Sequence, residues 1–332
     1  MVNLTNGPWN WGKPAGRGLA IVFWLLVGGV ALQASSFVFE RNVTLQGKIP
    51  NEPGLPEWSG GALMAVASNR TPAPAIVLFD SDGRQLPALV LKIPDAETVD
   101  VASFARGADG TVAICGNLYD HVGRGSGFLE LFSASGEDLG LTRLYPYSPR
   151  RVAVASDGTV WTTGLEVTDA KETTPPGGGV LRHFDRHGQL LGSFIPRSTF
   201  SSRFAVQYGK LRSAKGRIGW YSGPFMGPGS RFYEIGPDGQ VRSYPTIDVR
   251  PKEELTGLGL TDDGRTYVTL KDNAVPFSWR MLSIGGPGQT WIEEKLPSQV
   301  GHIFLLFGAE GDRLVIHHQD WSTMAFLKVL SE

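Results

Sequence analysis

Polar side chains that could bind an ion or a small molecule are concentrated in the segments between predicted β-strands. Seven of them stand out, namely Asn117, Asp120, His121, Asp272, Asn273, His317 and His318. Carboxylate and amide oxygens suit Ca²⁺ or Mg²⁺, and imidazole suits transition metals. These residues predict a binding site for a divalent cation or a small polar ligand. The alternative interpretation is ordinary polarity of solvated loops.

Basic residues follow a second pattern, because they occupy the segments that connect one group of strands to the next. They are Arg150, Arg151, Arg197, Arg203, Arg250 and Lys252. Several cations that face one opening would attract an anionic ligand. Scattered surface charge explains the same residues equally well.

The sequence lacks the short motifs that mark well-defined catalytic chemistry. It contains no nucleophile elbow, phosphate-binding loop, His-Glu-x-x-His helix or paired-cysteine metal motif. The single cysteine, Cys115, lies in the apolar stretch TVAIC without a neighbouring histidine or cation. A reactive thiol needs such a neighbour, so we expect a small buried core residue. No catalytic residue is predicted.

The elements that must position these side chains are set by two interleaved series of glycine turns. The first series contains Gly83, Gly136, Gly188, Gly239 and Gly288. The second contains Gly60-Gly61, Gly110, Gly158, Gly216, Gly264 and Gly311. Within each series the spacing is about 50 residues, with two strand pairs per period, which is the pattern of a β-propeller. The sequence therefore predicts an all-β, six-bladed propeller.

One predicted blade illustrates the repeat, with strands over residues 152–155, 159–163, 179–184 and 189–194. The last repeat lacks its fourth strand. Residues 43–50 resemble the fourth strands of other repeats, so residues 37–50 are expected to close the last blade. Closure by an N-terminal strand removes the open sheet edges that promote aggregation.

The glycine turns all lie on one face of such a propeller, which we call the turn face. The loops between the second and third strands, together with the blade-to-blade connections, lie on the opposite face, the loop face. The seven polar residues belong to the loop face, around the mouth of the central channel. Because blades 2 and 5 are opposite each other in a six-fold ring, Asn117 and Asp272 are expected to approach one ligand from two sides. Adjacent strand residues point to opposite faces, so only one of His317 and His318 can contribute.

The N-terminal region predicts export from the cytoplasm. Residues 1–17 read as a cytoplasmic leader that carries Lys13 and Arg17, and residues 18–36 read as a membrane anchor or signal sequence. Residues 37–332 form the predicted propeller outside the cytoplasm, membrane-anchored or, if the segment is cleaved, secreted.

The overall composition argues against a nucleic-acid partner. The formal net charge is −1 and charged residues make up 19% of the chain. Nucleic-acid binding usually requires a clustered excess of Lys and Arg. The expected partners are the membrane, through the N-terminal helix, and a small polar ligand or a protein.

Repeats of the form DGTVW followed by FDRHGQLLGSFIP resemble the six-bladed propellers of the NHL-repeat, gluconolactonase-like and streptogramin-lyase-like groups. The enzymes of these groups use a divalent metal in or near the channel, which is what the resemblance implies for an active member. Two functions therefore remain open. The first is a membrane-tethered binding or scaffolding module, and the alternative is a metal-dependent hydrolase or lyase with its site at the channel mouth.

Overall fold

The computed structural model describes residues 36–49, 56–224, 226–236, 239–318 and 322–330. Its strands form six separate antiparallel sheets. Residues 1–35 lie outside the described residues, so the leader and nearly all of the predicted anchor do as well. Among the described residues, no helix has the length and apolar character needed to cross a membrane.

The strands follow one another in chain order. The closing strand and blade 1 contain β1 (Phe37–Thr44), β2 (Glu57–Ser59), β3 (Ala62–Ser68), β4 (Ala75–Asp80) and β5 (Gln85–Val90). Blade 2 contains β6 (Thr98–Arg106), β7 (Val112–Tyr119), β8 (Gly125–Phe132) and β9 (Asp138–Arg143). Blade 3 contains β10 (Tyr147–Val154), β11 (Val160–Thr168), β12 (Lys171–Glu172), β13 (Gly179–Phe184) and β14 (Leu190–Pro196).

The second half continues in the same way. Blade 4 contains β15 (Lys210–Ala214), β16 (Arg217–Ser222), β17 (Arg231–Ile235) and β18 (Val241–Ser243). Blade 5 contains β19 (Glu253–Leu260), β20 (Thr266–Asp272), β21 (Ser278–Ile284) and β22 (Ile292–Glu293), and blade 6 begins with β23 (Phe304–Glu310), β24 (Arg313–His318) and β25 (Thr323–Val329). The helices among the described residues are short: α1 (Phe204–Gln207) and two 3₁₀ turns, Arg197–Thr199 and Ser298–Val300.

The six sheets confirm the predicted six-bladed propeller. Each blade pairs its strands in chain order, and the first strands of neighbouring blades contact each other around the central channel. Blade 3 adds a feature that the repeat does not predict, because β12 folds back onto the end of β11 and extends the loop face.

Glycine conformation explains the turn face. Every glycine of the two series except Gly288 has φ in the left-handed region, for example 87° at Gly110 and 76° at Gly188. Glycine adopts this conformation without the steric penalty of a Cβ atom. At the exception, the backbone N–H of Gly285 donates to the side-chain Oε1 of Gln289 at 3.0 Å.

The closing strand comes from the N-terminal region, as predicted, but it lies earlier than the residues that suggested it. β1 pairs with β25 in antiparallel register from Phe37 with Val329 to Thr44 with Thr323. Among the described residues 43–49, Val43 and Thr44 belong to β1. Gln46 then donates its N–H to the carbonyl of Gly83, in blade 1. The sequence resemblance of residues 43–50 to the fourth strands of other blades therefore pointed to the correct segment, but the strand itself begins at Phe37.

Six buried hydrophobic clusters hold the ring together, one between each pair of adjacent blades. Cys115 belongs to the cluster between blades 2 and 3 and is fully buried. Burial raises the pKa of its thiol to about 12, so the thiol stays protonated at neutral pH. The prediction of a core cysteine is confirmed.

The carboxylate of Glu130 is buried next to the cluster between blades 1 and 2. Glu130 is 3% exposed in β8 and lies on the strand face that carries Phe128 and Phe132, which pack between blades 1 and 2. Burial, with a smaller contribution from Asp138, raises its pKa to about 7. The Glu130 carboxylate therefore becomes protonated as the pH falls through neutrality, while the side chain stays buried.

The buried Glu130 should make stability depend on pH in an unusual direction. Its folded-state pKa of about 7 lies above the ordinary value of 4.5, so the folded state binds the proton more tightly. The free energy of unfolding should fall by about 3 kcal/mol as the pH rises from 4.5 to 7. Urea unfolding at several pH values would measure this. Glu130→Gln should remove that fall, and an unchanged pH profile in the variant would contradict the assignment.

Candidate functional site

The loop face contains a cavity of about 740 Å³ between blades 2 and 3. We call it the blade 2–3 cavity. It is bordered by the ends of β7 and β11, the beginning of β10, the turn at residues 120–124, the β11–β12 hairpin and the segment that contains α1. Its volume lies in the range of small-molecule sites, which are about 300–1,000 Å³.

The floor of the cavity is built from buried side chains. Asn117 and Ser148 are each 6% exposed, and the Ser148 hydroxyl donates to Oδ1 of Asn117 at 2.7 Å. Leu165 adds an apolar patch beside them. Gly127 is required here, because a Cβ at this position would overlap the carbonyl oxygen of Tyr147. The hydrogen bond fixes the Asn117 amide, so its orientation is set before any ligand binds.

Asp120 shapes the rim. Its Oδ1 accepts the backbone N–H groups of Val122 at 3.0 Å and Arg124 at 2.9 Å, and its Oδ2 accepts Nε of Arg124 at 2.8 Å. These hydrogen bonds, the one from the Arg124 backbone first, lower the pKa of Asp120. Asp120 therefore remains ionised and holds the 120–124 turn closed, which makes it a structural residue of the rim.

Three arginines that line the cavity, Arg143, Arg150 and Arg203, have no ionic partner among the described residues. Arg150 is half-buried and follows Ser148 in β10, and Arg203 is exposed beside α1. By contrast, the acidic side chain of Glu172 is already bound by Arg197, with Nη2 and Oε2 3.1 Å apart. Arg150 therefore brings positive charge close to the floor, while Asp95 and Asp169 add negative charge at the exposed rim.

The backbone around the cavity is unusual as well. Five non-glycine residues among those described have φ in the left-handed region, and three of them line this cavity: Asp95 at 62°, Asp169 at 51° and Ala170 at 61°. Such conformations are uncommon outside glycine and concentrate at functional sites. The rim loops are therefore held in shapes that the chain would not adopt without support.

The other predicted site residues lie elsewhere. His121 is exposed at the tip of the 120–124 turn, outside the lining of the cavity. On blade 5, Oδ1 of Asp272 accepts the N–H of Ala274 at 2.8 Å, and Nδ2 of Asn273 donates to the carbonyl of Lys252 at 3.4 Å. His317 is 4% exposed in β24, and the side chain of His318 is outside the description. Of the seven residues, the cavity contains Asn117 and Asp120; a joint site across the ring stays a prediction.

The sequence also predicted that a divalent cation could bind to the seven polar residues. Within the described ranges, no group of three or more His, Cys, Asp or Glu side chains is close enough together to hold a metal ion. The polar residues of the blade 2–3 cavity are instead occupied by hydrogen bonds within the protein, as at Asn117 and Asp120.

The central channel holds an ionic cluster that the sequence did not predict. Glu57 of blade 1 contacts Nζ of Lys210 at 2.6 Å and Nη1 of Arg212 at 2.9 Å, both on blade 4 at the opposite side of the ring. We call these three residues the channel cluster. Burial would raise the pKa of Glu57, yet the charges of Arg212 and Lys210 lower it to about 2. The cluster ties opposite blades together across the channel.

Short stretches of sequence give little indication of the channel cluster or of the residues that line the blade 2–3 cavity. Glu57 and Lys210 are 153 positions apart, and neither belongs to a motif. Arg150 and Arg203 were recognisable only as members of a wider set of connecting-segment cations. Tyr145, 62% exposed beside the cavity, had no distinguishing pattern at all.

Six antiparallel blades define the class of this protein: a six-bladed β-propeller with a cavity of small-molecule size between two blades. No protein-family model matches the sequence, and no curated protein matches it.

Two solved structures with TM-scores above 0.5 agree with the fold at low sequence identity. A protein of unknown function from Dyadobacter fermentans is 11% identical, with a TM-score of 0.52, and covers 89% of this chain and 99% of its own. YjhT is 10% identical, with a TM-score of 0.51, and covers 85% of this chain and 94% of its own. An ulvan lyase is 9% identical at a TM-score of 0.47, over 88% of this chain and 84% of its own. These matches concern the fold alone, and the resemblance to the NHL-repeat, gluconolactonase-like and streptogramin-lyase-like groups stays a prediction.

Proposed function

We propose that this chain is a ligand-binding module, held at the membrane outside the cytoplasm, and that the blade 2–3 cavity is its binding site. The observation that carries the proposal is the cavity of about 740 Å³ with a pre-ordered polar floor at Asn117 and Ser148. Pre-ordered polar groups reduce the entropy that binding must overcome. A rigid scaffold with varied loops on one face is a common way to build such a site.

The charges of the cavity indicate the ligand class. Arg150 lies near the buried floor, whereas Asp95 and Asp169 lie at the exposed rim. A carboxylate or phosphate group would bind toward Arg150, with the exposed Arg203 as a second contact, because arginine presents several donors to such groups. Hydroxyl or amino groups of the same ligand would face Asp95 and Asp169. We therefore expect a small polar ligand with at least one negative group.

A thermal-shift panel tests the ligand class. Citrate, glucuronate and glucose 6-phosphate serve as negatively charged probes, and glucose serves as the uncharged comparison. At least one charged probe should raise the melting temperature while glucose does not; a ligand at a hundred times its Kd adds about 2.7 kcal/mol. Stabilisation by glucose to the same extent, or by no probe, would refute the proposed ligand class.

Matched arginine variants connect the effect to the cavity. Arg150→Met should weaken binding at least about tenfold, because a hydrogen bond to a charged group contributes roughly 1.5–3 kcal/mol. Arg203→Met should act in the same direction. Arg84→Met is the control, since Arg84 is a turn-face arginine whose side chain is 66% exposed. Equal binding by all three variants would place the site elsewhere.

The location outside the cytoplasm rests on the apolar run within residues 18–36, preceded by Lys13 and Arg17. Protease added to intact cells should degrade the propeller and spare the leader. A mature N-terminus at Phe37 would show cleavage and a secreted product, and full protection of the propeller would refute export.

A further inference from the structure

The channel opens on the turn face into a second cavity of about 350 Å³, which we call the turn-face cavity. All six blades contribute to its lining. Its charged and hydroxyl-bearing residues include Arg106, Ser156, Arg212, Lys215, Asp262 and Glu310. It lies on the face opposite the blade 2–3 cavity, so the two are separate sites.

Arg212 lines this cavity with an unused donor. The residue is 7% exposed, and its Nη1 donates to Oε2 of Glu57 and to the carbonyl of Leu211, both at 2.9 Å. Its Nη2 donates to the carbonyl of Phe307 at 3.4 Å. Its Nε–H has no acceptor among the described residues. A buried charged group with an unmatched donor is unfavourable, so this N–H favours an acceptor that enters the cavity.

The charges around Arg212 indicate that this acceptor is negatively charged. Lys210 and Arg212 share the single carboxylate of Glu57. Arg151, on blade 3, donates to the carbonyl oxygens of Gly209, Ala102 and Arg150, which carry no net charge. The inner channel therefore holds more positive than negative charge, and such a site concentrates anions.

The mouth of the turn-face cavity adds further cations. Arg106 is half-buried and hydrogen-bonds to the carbonyl of Gly60, and Lys215 is exposed without a carboxylate partner among the described residues. The acidic residues Asp262 and Glu310 are exposed at the outer edge, where water screens their charge. An anion is thus favoured at the inner end, beside Arg212.

We propose that the turn-face cavity binds a small oxyanion, with Nε of Arg212 as the central donor and Arg106 and Lys215 completing the site. Oxyanions suit arginine because its N–H groups match their geometry. Bound there, the anion balances the excess charge of the inner channel. This site is independent of the ligand proposed for the loop face.

Calorimetric titration of the purified full-length chain with inorganic phosphate, and separately with sulfate, tests the proposal in low-salt buffer. One anion should bind per chain, and added sodium chloride should weaken the binding. Arg212→Lys keeps a positive charge for Glu57 but removes the Nε donor, so it should raise the Kd at least about tenfold. Lys215→Met should raise the Kd several-fold, while Arg84→Met should leave it unchanged.

Three outcomes would overturn the proposal. They are no binding of either anion at millimolar concentration, unchanged binding in both Arg212→Lys and Lys215→Met, and an equal loss of binding in Arg84→Met. Circular dichroism and melting temperature would show whether Arg212→Lys folds. If it does not, the comparison of Lys215→Met with Arg84→Met decides, since both residues are exposed turn-face cations.

Discussion

Replacing Glu57 by alanine should lower the free energy of unfolding by about 3–5 kcal/mol, the usual effect of breaking a buried ion pair. The Lys210 and Arg212 side chains are 13% and 8% exposed, so the variant would leave two buried cations without their carboxylate. The penalty comes from desolvated charge rather than from lost packing. Urea unfolding at pH 7 would measure it.

Glu40→Ala is the matched control. Glu40 forms an ion pair of similar length, 2.7 Å to Nε of Arg313, but that arginine side chain is 51% exposed. An exposed pair contributes about 0–1 kcal/mol, so this variant should be nearly as stable as the parent. Equal, small effects of the two substitutions would show that the channel cluster does not stabilise the ring.

The pH dependence of the Glu57 contribution has a defined sign. Its folded-state pKa of about 2 lies below the ordinary value of 4.5. The contribution is therefore complete above pH 4.5 and is lost as the pH falls from 4.5 toward 2. Glu57→Ala should remove this acid sensitivity.

Deletion of residues 37–44 should abolish a stable monomeric fold. The deletion removes β1 and leaves the outer edge of β25 unpaired. Unpaired edges promote association between chains, so the variant should aggregate or melt at a much lower temperature. Light scattering and thermal melting would detect both effects. A synthetic peptide of residues 36–49, added in excess, should restore the melting temperature of the deletion variant.

Two neighbouring residues of β1 provide point-mutation controls for closure. Phe37 is 3% exposed, and its ring centroid lies 5.7 Å from that of Tyr267 on blade 5, whereas Val38 is 46% exposed. Phe37→Ala should cost about 3–5 kcal/mol, and Val38→Ala should cost about 0.5 kcal/mol or less. A deletion variant that melts like the parent chain would contradict closure by β1.

Repeated local signals explain why so much of the fold could be predicted from sequence. Each blade places glycines at turns that need left-handed φ, and alternating apolar residues mark the strands between them. Gly110 and Gly158 occupy the same position in successive blades and have φ of 87° and 81°. The register of β1 was harder to predict, because residues 43–50 imitate the end of a blade while the ladder itself begins at Phe37.

The candidate site could be predicted only where a loop carries its own polar residues. Asn117 and Asp120 fall at the end of β7, and both line the blade 2–3 cavity. The remaining contributors come from four other segments, represented by Asp95, Arg150, Asp169 and Arg203, and only the ring geometry brings them together. The channel cluster shows the same limit more strongly, because it joins blades 1 and 4.

The closing strand has a practical consequence for attaching this protein to other molecules. The N–H of Leu330 donates to the carbonyl of Ser36 at 2.9 Å, so the two ends of the described propeller are adjacent on the turn face. A short linker between them could join the ends, and new ends could be opened in an exposed turn, as circular permutation requires. A reporter or surface linkage made at Leu330 would likewise leave the blade 2–3 cavity pointing away from the attachment.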